Sequence, residues 1–310
     1  MRKALWGSAL VAGVSFAYAY TTLTSIRYES IAQPSAEPST VHIIAVGDVM
    51  LDRWIRKYAI EQFGGSYEPF FKDLQSISKG AVLFGNLEGP VSDKGKRVGS
   101  IYSFRMDPKV WDNFVASPFT VLSFANNHVG DYSVAAFVDT VERAKNAHIV
   151  LAGIRPTASS SPAVFTEQGG VRIAWLAYTD VGPRWMAPTE GREGVALLDE
   201  STLAQDIAQA KAQADVVLVS VHWGDEYATH SNTRQQRIGR LAIDAGATAI
   251  IGHHPHVAQE IEEYNNGVIA YSLGNYIFDQ NFSPDTSFGL VLDLTVTKTG
   301  HVSYTVHRAN

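Results

Sequence analysis

Six short clusters of Asp, Glu, Asn and His punctuate this sequence, and each follows a run of β-branched and apolar residues. Asp48 follows VHIIAVG, Asn86 and Glu88 follow AVLFG, and Asn126, Asn127 and His128 follow TVLSFA. His222 follows DVVLVSV, His253, His254 and His256 follow TAIIG, and Asn275 follows GVIAYSLG. Carboxylate, amide and imidazole donors without sulfur suit borderline divalent ions such as Mn, Fe or Zn, one or two of them. Two ions about 3.5 to 4 Å apart polarise a phosphoryl or carbonyl oxygen and hold a hydroxide for attack, with no protein nucleophile needed. Glu88 can bridge such a pair, and His128 beside Asn127 is placed to be the general acid. Taken singly, each cluster also has a structural reading, His222 as a hydrogen-bonded strand-end histidine and Asn127 or Asn275 as turn residues. Their shared position after strands is what joins them.

The elements that must position these residues follow from hydrophobic periodicity. The expected strands are 41–46, 81–84, 120–125, 171–178, 215–221, 248–252 and 267–273. Helical spacing of apolar residues predicts helices over 132–147 and 201–214. The period-two alternation of 289–308 around Thr299 and Gly300 predicts a terminal hairpin. Alternating strands and helices give an α/β fold, with two sheets and helices outside. In open α/β sheets ligands bind beyond the carboxyl ends of strands, so the six clusters meet at one rim.

Composition narrows the function. The 310 residues are 45% hydrophobic, which is enough for a large core, and 25 Lys and Arg against 31 Asp and Glu give a net charge of −6. No basic field exists to gather nucleic acid. The chain has no cysteine, so thiolate ligands, cysteine nucleophiles and disulfides are all excluded. Arg2 and Lys3 precede an uncharged run from Ala4 to Ile26, which reads as a signal-anchor over 1–27 or, through Ala17-Tyr18-Ala19, as a cleaved signal. A Pro/Ser/Ala-rich linker over 28–40 would then tether a domain of residues 41–310. The expectation is single-pass cell-membrane localisation with the domain extracytoplasmic, or a secreted or periplasmic protein after signal cleavage.

The segments GDVMLDR (47–53), GNLEGP (85–90), ANNHVGDY (125–132), VHWGDEY (221–227), GHHPHV (252–257) and YSLGNYIFDQ (271–280) together resemble the CapA family of poly-γ-glutamate capsule synthesis. That family is a branch of the calcineurin-like metallophosphoesterase superfamily, and the resemblance spans about residues 41 to 300. It implies a metallophosphoesterase-like two-sheet sandwich flanked by helices, behind the N-terminal hydrophobic segment. It also implies a metal set of Asp48, Glu88, Asn127, His222, His254 and His256, with His128 catalytic and Asn275 and Asp279 in the family signature. The superfamily's first motif, Asp-x-His, reads Asp48-Val49-Met50 here, and its GDxxD motif is replaced by Asn86-Leu87-Glu88, so one metal position lacks a nitrogen ligand. The implied role is in making or exporting an anionic cell-surface polymer, at the membrane and beside polymer synthetase or export membrane proteins. A generic metallophosphatase or phosphodiesterase, and a non-catalytic assembly subunit, are the alternatives.

Further residues are weighed around this set. Asp131, three after His128, either orients that imidazole or caps the helix from Tyr132. The loop 93–105 carries Lys94, Lys96, Arg97 and Arg105, either a solvated surface or a dock for an anionic chain, with Arg105 the residue to keep. Segment 181–194, with Trp185, reads as a lid or a structural loop. Asp52 and Arg53, close behind Asp48, either sit at the pocket or are a helix-start carboxylate and a surface arginine, and His253 is at most a supporting neighbour of the ligands. His42, His148, His230, His301 and His307 are given no role.

Overall fold

The structure is a computed structural model that describes residues 39–98, 100–116 and 119–309. The chain opens with β1 (Thr40–Val49), α1 (Arg53–Phe63), α2 (Lys72–Ile77), β2 (Val82–Leu87), α3 (Val110–Ala116), β3 (Phe119–Ser123) and α4 (Ser133–Asn146). Short strands β4 (Val150–Ala152) and β5 (Ile154–Arg155) lead to the antiparallel pair β6 (Val164–Gln168) and β7 (Val171–Thr179). Then come β8 (Gly194–Val195), α5 (Glu200–Lys211), β9 (Val216–His222), α6 (Thr233–Asp244) and β10 (Ala249–His253). The chain ends with β11 (Ile261–Tyr264), β12 (Gly267–Ala270), β13 (Asn275–Ile277), β14 (Gly289–Thr297) and β15 (Val302–Ala309).

Two mixed sheets dominate, as the strand pattern predicts. The first has the order β15-β14-β1-β2-β3-β4, with β13 also pairing β1, and the second the order β11-β12-β10-β9-β7-β6. β1 to β4 run parallel, as do β7, β9, β10 and β12, so each group sends its carboxyl ends to one edge. Alternation along β7 shows how the layers form. Ile173 and Trp175 join the core between the sheets, where Trp175 stacks on Phe84 at 5.2 Å, while Ala174, Leu176 and Tyr178 turn to the opposite face. That outer face is covered by Leu203 and Ile207 of α5 and by Ile238 and Ala242 of α6. Strands buried on both faces read as continuous apolar runs, which is why β9 and β10 show no polar alternation.

The terminal hairpin forms as expected, with Gly289 opposite Ala309 and Val296 opposite Val302. The strand expected over 267–273 instead ends at Ala270, because the chain then leaves the second sheet and joins the first as β13, where Asn275 pairs with Asp48. Glycine makes that crossing possible. A Cβ on Gly47 would lie 1.9 Å from the carbonyl oxygen of Gly274, and Gly274 itself has φ +69°. The signal-anchor expected over 1–27 lies outside the described residues, as does the linker up to residue 38. No helix among the described residues is long and apolar enough to cross a membrane, so the single-pass localisation expected from the sequence is corrected to one without support in the structure.

Candidate metal centre

The carboxyl ends of β1, β2, β9 and β10 bring Asp48, Glu88, His222 and His254 together with His256, and all five are buried. Register fixes the arrangement, since Asp48 pairs with Asn86 across β1–β2 and with Asn275 across β1–β13. Asn86 is the polar hub. Its Nδ2 donates to Asp48 Oδ1 at 2.8 Å and to Glu88 Oε2 at 3.3 Å, and its Oδ1 accepts from Asn126 Nδ2 at 3.1 Å. Asn126 Oδ1 in turn accepts from the His128 backbone N–H at 3.1 Å, so one amide chain links the metal-ligand candidates to the His128 loop. His222 Nε2 lies 2.8 Å from Asn127 Oδ1, and His256 Nδ1 lies 3.0 Å from Asn275 Oδ1 and 3.2 Å from Asp48 Oδ2.

The electrostatics are those of carboxylates and imidazoles buried side by side. Burial favours the neutral form of Asp48, but hydrogen bonds and charge from His253 and His256 outweigh it and hold the carboxyl well below its usual range. Burial and the Asp48 charge push Glu88 well above the ordinary carboxylate value. Burial and the neighbouring His254 ring hold His222 well below the usual imidazole value, and burial with His256 holds His254 at about 4. Against burial, Glu88 and Asp48 raise His256 to about 9. Like groups whose protonation is driven apart at one cleft are a signature of a functional site.

These residues fit a divalent ion. Glu88 Oε1, His254 Nδ1 and His253 Nε2 are buried without a hydrogen-bond partner, while His253 Nδ1 lies 3.2 Å from Asp48 Oδ1. Glu88 Oε1 faces His256 Nε2 at 3.6 Å and His128 Nε2 at 3.7 Å, too far for hydrogen bonds. Buried polar atoms are nearly always paired, and an unpaired group among oxygen and nitrogen donors marks a place for an ion. Asp48, Glu88 and His222 offer ligand atoms within 4.8 Å of one another, and Glu226, His254 and His256 do the same.

A cavity of about 630 Å³ opens beside this cluster, lined by Asn127, His128, His256 and Arg53 among others. His128 Nδ1 lies 2.8 Å from Asp131 Oδ2, whose carboxylate also accepts from the Phe104 backbone N–H at 2.7 Å. Phe104 lays its ring 4.0 Å from the His128 ring. The Arg53 guanidinium also lies over the Phe104 ring, at 4.8 Å, and Arg53 is forked onto Asp279, with Nε donating to Oδ2 at 2.9 Å. Arg53, which the sequence leaves open between the pocket and the surface, lines the cavity. Arg105 does not; its guanidinium sits 4.3 Å from the Tyr132 ring and donates to the Lys94 carbonyl, while its backbone N–H donates to Asp52. Asp52 heads α1 without a side-chain capping bond. The segment 181–194 lays Trp185 over Gly130, where an added Cβ would come 2.7 Å from the indole. Sequence reasoning gives Asn126 no role of its own, although its position after TVLSFA was the available signal, and it passes over Glu226, which lies in a loop and follows no strand directly.

Comparison with known proteins gives this geometry a family. A family model described as "Bacterial capsule synthesis protein PGA_cap" matches residues 42–280. The "PGA biosynthesis protein CapA" of Bacillus subtilis (strain 168) is 37% identical over 251 residues, covering 79% of this chain and 65% of that protein. The "Capsule biosynthesis protein CapA" of Bacillus anthracis is 32% identical over 280 residues, covering 86% of this chain and 66% of that protein. The match thus takes in just under two thirds of the length of either relative. Among solved structures, a 5′-nucleotidase precursor from Thermus thermophilus shares the fold with TM-score 0.53 at 12% identity, over 87% of this chain and 54% of that one.

Proposed function

The chain belongs to the bacterial capsule synthesis PGA_cap family, and from that premise we propose that it acts in making or exporting an anionic, poly-γ-glutamate-like polymer through a divalent-metal-dependent, hydrolase-like site. The observation that carries the reading is the set of orphaned buried atoms on Glu88 and His254, grouped with buried Asp48, His222 and His256, of which His256 lines the cavity. In this reading Asp48, Glu88, Asn127, His222, His254 and His256 hold one or two ions. A bound divalent ion supplies the positive charge that polarises a phosphoryl or carbonyl oxygen and eases deprotonation of water.

The chain's own residues do the rest. Asn86 and Asn275 orient Asp48 and His256 by hydrogen bonds, as neighbours of metal ligands commonly do. Asp131 accepts from His128 Nδ1, which leaves Nε2 facing the cavity as the atom that passes a proton to a leaving group. Arg53, held between Phe104 and Asp279, presents guanidinium to an anionic chain entering the cavity. Exposed Tyr102, Tyr227 and Phe282 line the same cavity and offer apolar surface to the carbon backbone of such a chain. The polymer's synthetase and export proteins are the partners this role requires. The test is turnover of phosphodiester and γ-glutamyl substrates by the Mn-reconstituted full chain. Hydrolysis of either class, abolished by chelator and restored by Mn, is expected; polymer binding without hydrolysis of either would leave an assembly role instead.

A further inference from the structure

We infer that two copies of this chain pair through β15, antiparallel about a two-fold axis at Thr305, and so join their first sheets into one. The inference is independent of the metal-dependent reading. β15 closes one edge of the first sheet and pairs with β14 alone. An open strand edge is a template for another chain, and proteins commonly blunt it with short strands, lysine, proline or bulges. β15 has none of these. Its register with β14 runs unbroken from Val302 to Ala309, and Arg308 is the one charged residue in its sequence VSYTVHRA. The strands β4, β11 and β6 at the other edges of the two sheets have three, four and five residues.

The hydrogen-bond phase of the hairpin fixes the register of the pair. Thr297 N donates to His301 O at 2.9 Å, so Ser303, Thr305 and His307, at alternate positions beyond it, turn their N–H and C=O to β14. The backbone groups of Val302, Tyr304, Val306 and Arg308 therefore point outward. A second β15 centred on Thr305 sets Val302 against Arg308 and Tyr304 against Val306, and so takes up all four outward residues of each strand. An aromatic residue opposite a β-branched one is a favourable cross-strand pair, and no like charges face each other. Moving the axis to Tyr304 or Val306 would leave Arg308 or Val302 without a partner in the opposite strand.

Charge selects a second copy as the occupant. Val302, Tyr304 and Val306 lie opposite Val296, Leu294 and Leu292, and Leu292 shares a face with Ala45 and Phe84, whose ring stacks on Trp175 of the second sheet. This is the face between the sheets, and Val306 is 39% exposed on it. Across the gap, Glu263 of β11 lies within reach of the Tyr304 hydroxyl, and with Val302 and Tyr304 it lines a cleft of about 650 Å³. Neither Glu263 nor Arg308 makes an ion pair among the described residues. In the register centred on Thr305, Arg308 of the second copy stands beside Val302 on that same face, so its guanidinium reaches the mouth of the cleft that holds Glu263. The two-fold axis repeats the contact on the other side. The strand this edge fits carries the sequence of β15 itself.

The experiment is analytical ultracentrifugation of the full chain, combined with disulfide trapping at single introduced cysteines, for which the cysteine-free sequence gives no background. The wild type is expected to sediment as a dimer that dissociates on dilution. Residues facing each other in a non-hydrogen-bonded antiparallel pair have Cα atoms about 4.5 Å apart, within disulfide reach. Thr305→Cys should therefore form a covalent dimer on mild oxidation, whereas Ser303→Cys, which faces His307, should not. Val306→Pro removes an outward backbone donor and should give a monomer. Val306→Lys leaves the backbone intact and should give the same result, as an edge lysine does. Arg308→Glu should weaken association about 10-fold through the loss of two exposed ion pairs, and adding Glu263→Arg should restore it. A wild type that stays monomeric at every concentration, a dimer untouched by both Val306 variants, unchanged affinity in Arg308→Glu, or trapping as efficient at position 303 as at position 305 would each overturn the proposal.

Discussion

His128 is the residue on which the chemistry can be separated from the metal. Its Nδ1 is committed to Asp131 and its ring to Phe104, and Nε2 stands 3.7 Å from Glu88 without a hydrogen bond. His128→Asn should therefore retain metal yet slow turnover of a substrate with a poor leaving group by roughly 10²- to 10⁴-fold, and leave a good leaving group less affected. Equal losses for both kinds of substrate would assign His128 to support of the ligands alone. Most of the cluster could be read from sequence because Asp48, Asn86, His222 and His253 are the strand residues at which apolar runs stop. Arg53 was legible only as a neighbour of Asp48 that either joins the pocket or stays at the surface, since its placement is set by Asp279, 226 positions away. Glu226 escaped for a related reason: its placement depends on a left-handed Tyr227 and on a backbone bond to Pro255, neither of which has a residue-type signature.

At the level of elements, α4 and the loop after β2 are joined by one buried carboxylate. Asp139 accepts from Ser92 Oγ at 2.6 Å and from Arg143 Nε at 2.7 Å, and Lys94 Nζ lies 2.8 Å away. Burial opposes its charge, yet the Lys94, Ser92 and Arg143 hydrogen bonds together hold its carboxyl below the ordinary value of 3.8. A carboxyl whose folded value is depressed contributes stability that is present above the unfolded value and lost as pH falls through the folded one. Asp139→Asn should thus lower stability at neutral pH by about 1 to 3 kcal/mol, as loss of hydrogen bonds to a charged group does. Lys94, at the surface, should add little to this. Melting curves of wild type and variant should converge as pH falls below 3.8, and a constant offset from pH 7 to pH 3 would refute the assignment. The helices expected over 132–147 and 201–214 are α4 and α5 with ends shifted by one to three residues. α6 was not among the helices named from the sequence, although its buried residues Gln235, Ile238, Gly239, Ala242 and Ile243 keep helical spacing and the Asn232 and Gln235 capping box was a readable start signal.

For the whole molecule, two sheets with parallel strand groups gather chemistry from distant parts of the chain, so the site exists only when the sandwich is closed. That much was legible, because parallel strands buried on both faces announce themselves as apolar runs. The crossing of the chain from β12 to β13 was not, since Gly274 must turn at positive φ against Gly47 from the other end of the sequence. The central claim is that this closed sandwich binds a divalent ion at the carboxyl ends of its parallel strands. A ligand that binds only the folded state at 100 times its Kd stabilises it by about 2.7 kcal/mol, so bound metal must appear in stability as well as in composition. The most direct measurement is elemental analysis of the reconstituted full chain alongside thermal unfolding, for wild type and His222→Ala. The account predicts at least one Mn, Fe or Zn per chain and a melting temperature raised by metal in the wild type, with both lost or reduced in the variant; no bound transition metal and no metal-dependent shift in the wild type would contradict it.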